Sequence, residues 1–224
     1  MKVTDTVHLV DGISYSNVFL VADKSLILID TGMPNNAEKI FEYISKSGLS
    51  RENLKSIVIT HYHPDHIGSL FDVWSKTRAT VYVHENDADY VTGNKQLPYP
   101  KGATGLFYRL LSIFTKLKFV KDVKTVKDGD VVDGLKVVHT PGHTSGHICL
   151  YNPKEKTLFS SDMFEIKNGE LKPMSMAFVE DELELKASME RISKIDFENV
   201  CPGHGEFMKV RDKADFKRLL KEAF

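Results

Sequence analysis

Five times along this chain an apolar run of strand character stops at a loop that carries histidine or aspartate. "SLILID" ends on Asp30, and "SIVIT" runs into "HYHPDHIG" at 61–68. "KVVHT" leads into "PGHTSGH", "KTLFSSD" ends on Asp162, and "ENVCPG" delivers His204. Short continuous apolar runs bounded by turn residues predict strands buried on both faces. If such strands lie side by side, their ends converge on one edge and bring the polar side chains with them. Loops on a rigid scaffold are where chemistry is commonly held.

The remaining pattern is consistent with that scaffold. "VTDTVHLV", "SNVFLVA" and "SLILID" read as three short strands with turns between them. "AEKIFEYISKSG" places Ile40, Phe41 and Ile44 on one helical face, with an Asn cap before it and Gly48 after it. Residues 67–76 read as a helix and "ATVYVH" as a strand. "GLFYRLLSIFTKLKF" carries Leu106, Phe107, Leu110, Leu111, Phe114 and Leu117 at helical spacing after the loop 93–104. "DVVDGLKVVHT", "HICLYN" and "KTLFSSD" are strands, followed by a helix "DELELKASMERISK", a strand "ENVCPG" and a closing helix from about Asp212. Strands and helices recurring in two halves, with no internal repeat or linker, predict one α/β domain over 1–224: two sheets packed together with helices outside.

Composition narrows the function classes. Lys+Arg is 30 against Asp+Glu 31, so no nucleic-acid or membrane partner is expected. Lys116, Lys118, Lys121, Lys124 and Lys127 bunch together and read as a solvated face. Cys149 and Cys201 lie in apolar stretches and read as buried free thiols rather than a disulfide. No apolar run approaches the roughly 18 residues of a membrane span, and the N-terminal stretch has no apolar core of a leader, so a cytoplasmic protein is expected.

"HYHPDHIG" holds three histidines and an aspartate within six positions. In extended backbone His61 and His63 point to one side and Tyr62 to the other. Pro64 suits the first turn of a helix, so Asp65 and His66 project in a second direction. One short stretch can thus serve two neighbouring metal positions, and a nitrogen and oxygen donor set suits zinc, iron or manganese. His143, Asp162 and His204 are further candidates. His8, His84 and His139 are single residues near strand ends and read as structural.

Asp30, "HYHPDHIG", "PGHTSGH", "SSD" and "PGHG", in this order and spacing, resemble the metallo-β-lactamase superfamily over nearly the whole chain. The resemblance implies a four-layer αββα sandwich with the site at one edge. It implies two divalent ions, with Zn2+ first and Fe or Mn as alternatives. By position, His61, His63 and His143 would hold the first ion, Asp65, His66 and His204 the second, and Asp162 would bridge. Asp30 would brace the loops without being a ligand, and His147 would hydrogen-bond within its loop. Asp65 would also be the catalytic residue, holding a nucleophilic water in line and carrying its proton. Cys201, three residues before His204, reads as core.

The superfamily spans several chemistries. "GHGE" after the last motif differs from the "GHEY" of glutathione-using glyoxalase II and from the pattern of persulfide dioxygenases. "DMFEIKNG" lacks the Tyr that lactonases of acyl-homoserine lactones place after the bridging Asp. The expected function is hydrolysis of a small thioester, lactone or ester, glyoxalase II-like or lactonase-like. The alternative is an iron-dependent oxygen or sulfur redox enzyme on the same fold. An insertion at about 93–120 is expected to act as a lid, with a core helix or a homodimer contact at 105–119 as the other readings. "KPMSMAFVE" at 172–180 is a candidate opposite wall.

Overall fold

A computed structural model describes residues 1–99, 105, 117–210 and 213–223. Six strands form the first sheet in sequence order: β1 (Val7–Leu9), β2 (Phe19–Ala22), β3 (Leu26–Ile29), β4 (Leu54–Ile59), β5 (Thr80–His84) and β6 (Lys124–Val126). β1, β2 and β3 pair antiparallel, and β3 to β6 pair parallel. The second sheet contains β7 (Val131–Val132), β8 (Leu135–His139), β9 (Ile148–Asn152), β10 (Thr157–Ser161), β13 (Asn199–Pro202) and β14 (Met208–Lys209), in the order β14-β13-β10-β9-β8-β7. A separate hairpin joins β11 (Glu165–Lys167) to β12 (Glu170–Lys172).

The layers follow from side-chain alternation. Along β3, Leu26 and Leu28 pack with Ile40, Phe41 and Ile44 of the helix Ala37–Lys46. Ile27 and Ile29 turn the other way and meet Leu150, Phe159 and Cys201 of the second sheet. On β9 and β10, Cys149 and Leu158 face outward to Leu185, Met189 and Ile192 of the helix Glu182–Ile192 and to Phe216 of the helix Lys213–Ala223. Three separate apolar clusters therefore fill the three gaps of a helix–sheet–sheet–helix sandwich. Each fully buried Leu, Ile or Phe contributes about 1.5–3 kcal/mol. This architecture explains why the strands read as unbroken apolar runs: both faces of β3 and β10 are covered.

Topology fixes the site. β3 and β4 run parallel, so residues 30 and 60–66 leave the first sheet at the same end. β10 and β13 run parallel, and β8 is two antiparallel steps from β10, so all three end on one edge. The two edges are tied together: Ile148 N–H donates to Thr60 O at 3.0 Å, and Asn17 N–H donates to Gly203 O at 2.7 Å.

Three local expectations need correction. Asn36 precedes the helix Ala37–Lys46 but makes no side-chain cap; its Nδ2 donates to Met33 O instead. The single helix expected at 67–76 is two, Pro64–Ile67 and Leu70–Thr77. Ser69 breaks it, with Oγ donating to Met33 O and accepting from Asn36 N–H. The expected strand over 130–140 is a hairpin, β7 and β8, turned at Asp133 and Gly134 with positive φ. The lid expectation falls largely on residues outside those described. Among the described residues, no helix is long and apolar enough to cross a membrane.

Candidate metal centre

β4 ends at Ile59, and His61 follows it fully buried. His63 is held extended, φ −63° and ψ 146°, as the residue before a proline prefers. Pro64 then opens the helix Pro64–Ile67, which lifts Asp65 and His66 out of the strand direction. His143 lies in the loop after β8, Asp162 directly after β10 and His204 after β13.

These residues meet. His61 Nε2 lies 3.1 Å from His63 Nδ1, and His143 Nε2 lies 2.9 Å from the same atom. Asp162 Oδ2 is 3.8 Å from His61 Nε2 and 3.3 Å from His143 Nε2. On the other side, His66 Nε2 is 3.6 Å from Asp65 Oδ2, and His204 Nε2 is 3.3 Å from it. Asp162 reaches this side as well, Oδ1 to His66 Nε2 at 3.3 Å and Oδ2 to His204 Nε2 at 3.2 Å. Two groups capable of holding an ion result: His61, His63, His143 and Asp162, and beside them Asp65, His66 and His204.

The donor chemistry fits divalent cations. Asp162 Oδ1 and His66 Nε2 are buried and face each other at 3.3 Å without forming a hydrogen bond. The His61 and His143 Nε2 atoms, each within 3.1 Å of His63 Nδ1, present lone pairs to a shared centre. Buried polar atoms are normally satisfied, and a divalent cation would complete these.

Electrostatics divides the two groups. Burial, reinforced by His66, drives His61 well below the usual histidine range. Burial and then His143 take His63 down to about 3. His66 and His204 move the other way. Burial opposes their charge, but Asp162 and Asp65 outweigh it, raising His66 well above its ordinary value and His204 to about 10. Burial opposes ionisation of Asp65 too, yet His66 and then His204 hold it down to about 2. Asp162 is likewise held well below the carboxylate range, chiefly by His66 and His204 against its burial. Without cations, protonated His66 and His204 supply the positive charge that these carboxylates require.

Around the groups, Asp30 stands off from the cluster. Its Oδ1 accepts from Thr60 N–H at 2.8 Å, and its Oδ2 accepts from Thr60 Oγ1 at 2.7 Å and from His66 Nδ1 at 2.8 Å. His147 bonds within its loop, Nδ1 to Thr140 O at 3.1 Å, and also out of it, Nε2 accepting from Asp162 N–H at 3.2 Å. Sequence reasoning missed three supports. Tyr15 O accepts from His204 Nδ1 at 2.6 Å, Ser16 Oγ donates to Asp65 O, and Thr60 Oγ1 pairs with Ser161 Oγ at 2.7 Å. Tyr15, Asp30 and Ser161 all adopt positive φ, at 76°, 59° and 45°. Such strained backbone in residues other than glycine collects at functional sites. No feature of the sequence announced it.

The remaining histidines lie elsewhere. His8 Nδ1 lies 3.2 Å from Tyr43 OH, and His84 stacks on His139 with ring centroids 3.9 Å apart. Cys149 and Cys201 are buried free thiols, and Cys201 packs between the sheets. Of the lysine cluster, Lys118 pairs with Asp72, Lys127 with Glu85, and Lys121 donates to Asn94. Phe178, in the candidate wall, sets its ring 6.0 Å from that of His63.

Comparison with known proteins agrees with this architecture. The chain is 29% identical over 199 residues to the probable metallo-hydrolase YflN of Bacillus subtilis (strain 168), covering 81% of this chain and 75% of that one. It is 26% identical over 165 residues to a hydroxyacylglutathione hydrolase of Pelagibacter ubique (strain HTCC1062), covering 68% of this chain and 53% of that protein. The crystal structure of TTHA1623 in a di-iron-bound form superposes with a TM-score of 0.67 at 26% identity, over 91% of this chain and 93% of the other. The family model of the Metallo-beta-lactamase superfamily matches residues 11–204, and the chain belongs to that superfamily.

Proposed function

We propose that this protein is a binuclear metallohydrolase of a small carbonyl substrate, a thioester, lactone or ester. The observation that carries the reading is the position of Asp162, whose two oxygens lie 3.2–3.8 Å from imidazole nitrogens of both groups. His61, His63 and His143 would hold one ion, Asp65, His66 and His204 the other, with Asp162 shared and Zn2+ the first candidate. Paired divalent ions, when bound, lower the pKa of water from about 15.7 to about 7 and polarise a carbonyl oxygen.

The chain's own groups do the rest. Asp65 is the ionisable carboxylate at the mouth, its side chain 25% exposed, so it can orient a water and take up its proton. Ser16 fixes the Asp65 backbone, and Tyr15 O fixes the His204 ring. His147 anchors the backbone of Asp162. The buried face of His61 and His143 excludes water from the inner side. Kinship with a hydroxyacylglutathione hydrolase supports a thioester substrate.

The test is a panel of thioesters and lactones assayed with purified protein beside metal analysis. Turnover that disappears in His61→Ala is expected; full turnover by chelated, metal-free protein overturns the reading. The di-iron form of TTHA1623 favours a second reading, iron-dependent oxygen or sulfur chemistry. Oxygen uptake with a persulfide, by protein purified with iron, would select it.

A further inference from the structure

Tyr62 sits between His61 and His63 in the chain, and Thr144 and Ser145 follow His143. Two carboxylates join these loops. Asp87 Oδ2 accepts from Tyr62 N–H at 3.2 Å and from Thr144 Oγ1 at 2.8 Å. Glu180 Oε1 accepts from Tyr62 OH at 2.6 Å, and Oε2 accepts from Ser145 N–H at 2.7 Å. Each acid therefore takes one donor from each ligand-bearing loop. None of these four contacts involves an imidazole.

The two acids differ in setting. Asp87 is fully buried, while Glu180 lies at the surface. The Asp87 backbone is fixed just past β5: its N–H donates to His84 O at 3.0 Å, and its O accepts from Tyr90 and Val91 N–H at 3.1 Å. The opposing loop is pressed against it, because a Cβ on Gly146 would lie 2.4 Å from Asp87 Oδ1. Without Asp87, a buried N–H and a buried hydroxyl lose their acceptor together, and the two loops lose their common anchor. The distance that this anchor governs is the 2.9 Å between His63 Nδ1 and His143 Nε2.

We infer that Asp87, assisted by Glu180, is a positioning residue that holds His63 and His143 at the separation needed to bind one particular ion, the one they share with His61. The inference rests on the metal-binding part of the proposed function and is indifferent to the substrate. Asp87 acts through Tyr62 and Thr144, so its removal should weaken one ion and spare the one held by Asp65, His66 and His204.

The experiment titrates metal-free protein with Co2+ and Zn2+ against a competing chelator, reading both affinities and the Co2+ visible spectrum. His143→Ala marks which ion belongs to which group. Asp87→Ala is expected to weaken the ion at His61, His63 and His143 by roughly 10–100-fold. The other ion should stay within about threefold of wild type. Asp87→Asn, which keeps one acceptor oxygen, should show a smaller loss at the same ion, and Glu180→Gln a smaller one still. Asp87→Ala with both affinities unchanged, or with both lowered alike, overturns the inference. If Asp87→Ala does not fold, Asp87→Asn and Thr144→Val decide on the same criterion. Wild-type protein that binds no ion would overturn the metal reading itself, and the inference with it.

Discussion

His66 donates from Nδ1 to Asp30 Oδ2 across 2.8 Å, with both side chains buried, and this bond decides which nitrogen of His66 faces the site. Nε2 is left pointing at Asp65 and Asp162. Asp30→Asn should therefore lower metal affinity and turnover by roughly 10–100-fold without touching a ligand. Asp30→Ala, which strands the Thr60 N–H and the His66 ring, should also destabilise metal-free protein by about 3–5 kcal/mol. Chelator competition measures the first effect and urea unfolding the second.

Gly203 backs the shared carboxylate. A Cβ there would lie 2.0 Å from Asp162 Oδ1 and 3.1 Å from His66 Cε1. Gly203→Ala must push Asp162 off its position between the two groups. Overpacking of this kind costs about 1–3 kcal/mol, and the variant should bind fewer than two ions per chain. Calorimetric unfolding and metal analysis of the purified variant check both.

Stability of the metal-free protein should depend on pH through His204 and Asp65. His204 is raised from 6.5 to about 10, so its contribution is complete below pH 6.5 and is lost as pH climbs towards 10. Asp65 is depressed from 3.8 to about 2, so its contribution is complete above pH 3.8 and is lost as pH falls towards 2. The pair contributes fully between those limits. Thermal unfolding across pH 3 to 10 should show decline at both ends, and His204→Gln should shrink the alkaline decline to the part that His66, also raised above its ordinary value, contributes.

Metal uptake should be unequal in pH for the same reason. His63, held near 3, is already neutral at pH 6, whereas His204, held near 10, must surrender a proton to bind an ion. The group of Asp65, His66 and His204 should gain affinity steeply from pH 6 to 9, and the group of His61, His63 and His143 should gain less. Proton release on titration with Zn2+, recorded in weak buffer, reads the difference.

Much of this arrangement was legible in the sequence because strand ends and ligand loops coincide. "SIVIT" before "HYHPDHIG" and "KTLFSS" before Asp162 announced both the buried strands and the residues they deliver. Pro64 announced the change of direction that separates Asp65 and His66 from His61 and His63. The supports were not legible, since Tyr15 and Ser16 act through backbone and hydroxyl contacts over 189 and 49 positions respectively. Asp87 looked like one acid in "HENDAD", and only tertiary packing joins it to Tyr62 and Thr144. The break at Ser69 and the uncapped Asn36 share one cause, side chains that bond to Met33 O rather than to their own helix.

The most direct measurement is the metal content of purified protein, by mass spectrometry, beside that of a His61→Ala, His204→Ala double variant. Close to two divalent ions per chain in wild type, and close to none in a double variant that still unfolds cooperatively, is the predicted result. Equal metal content in the two proteins would contradict the claim that these loops enclose a pair of cations.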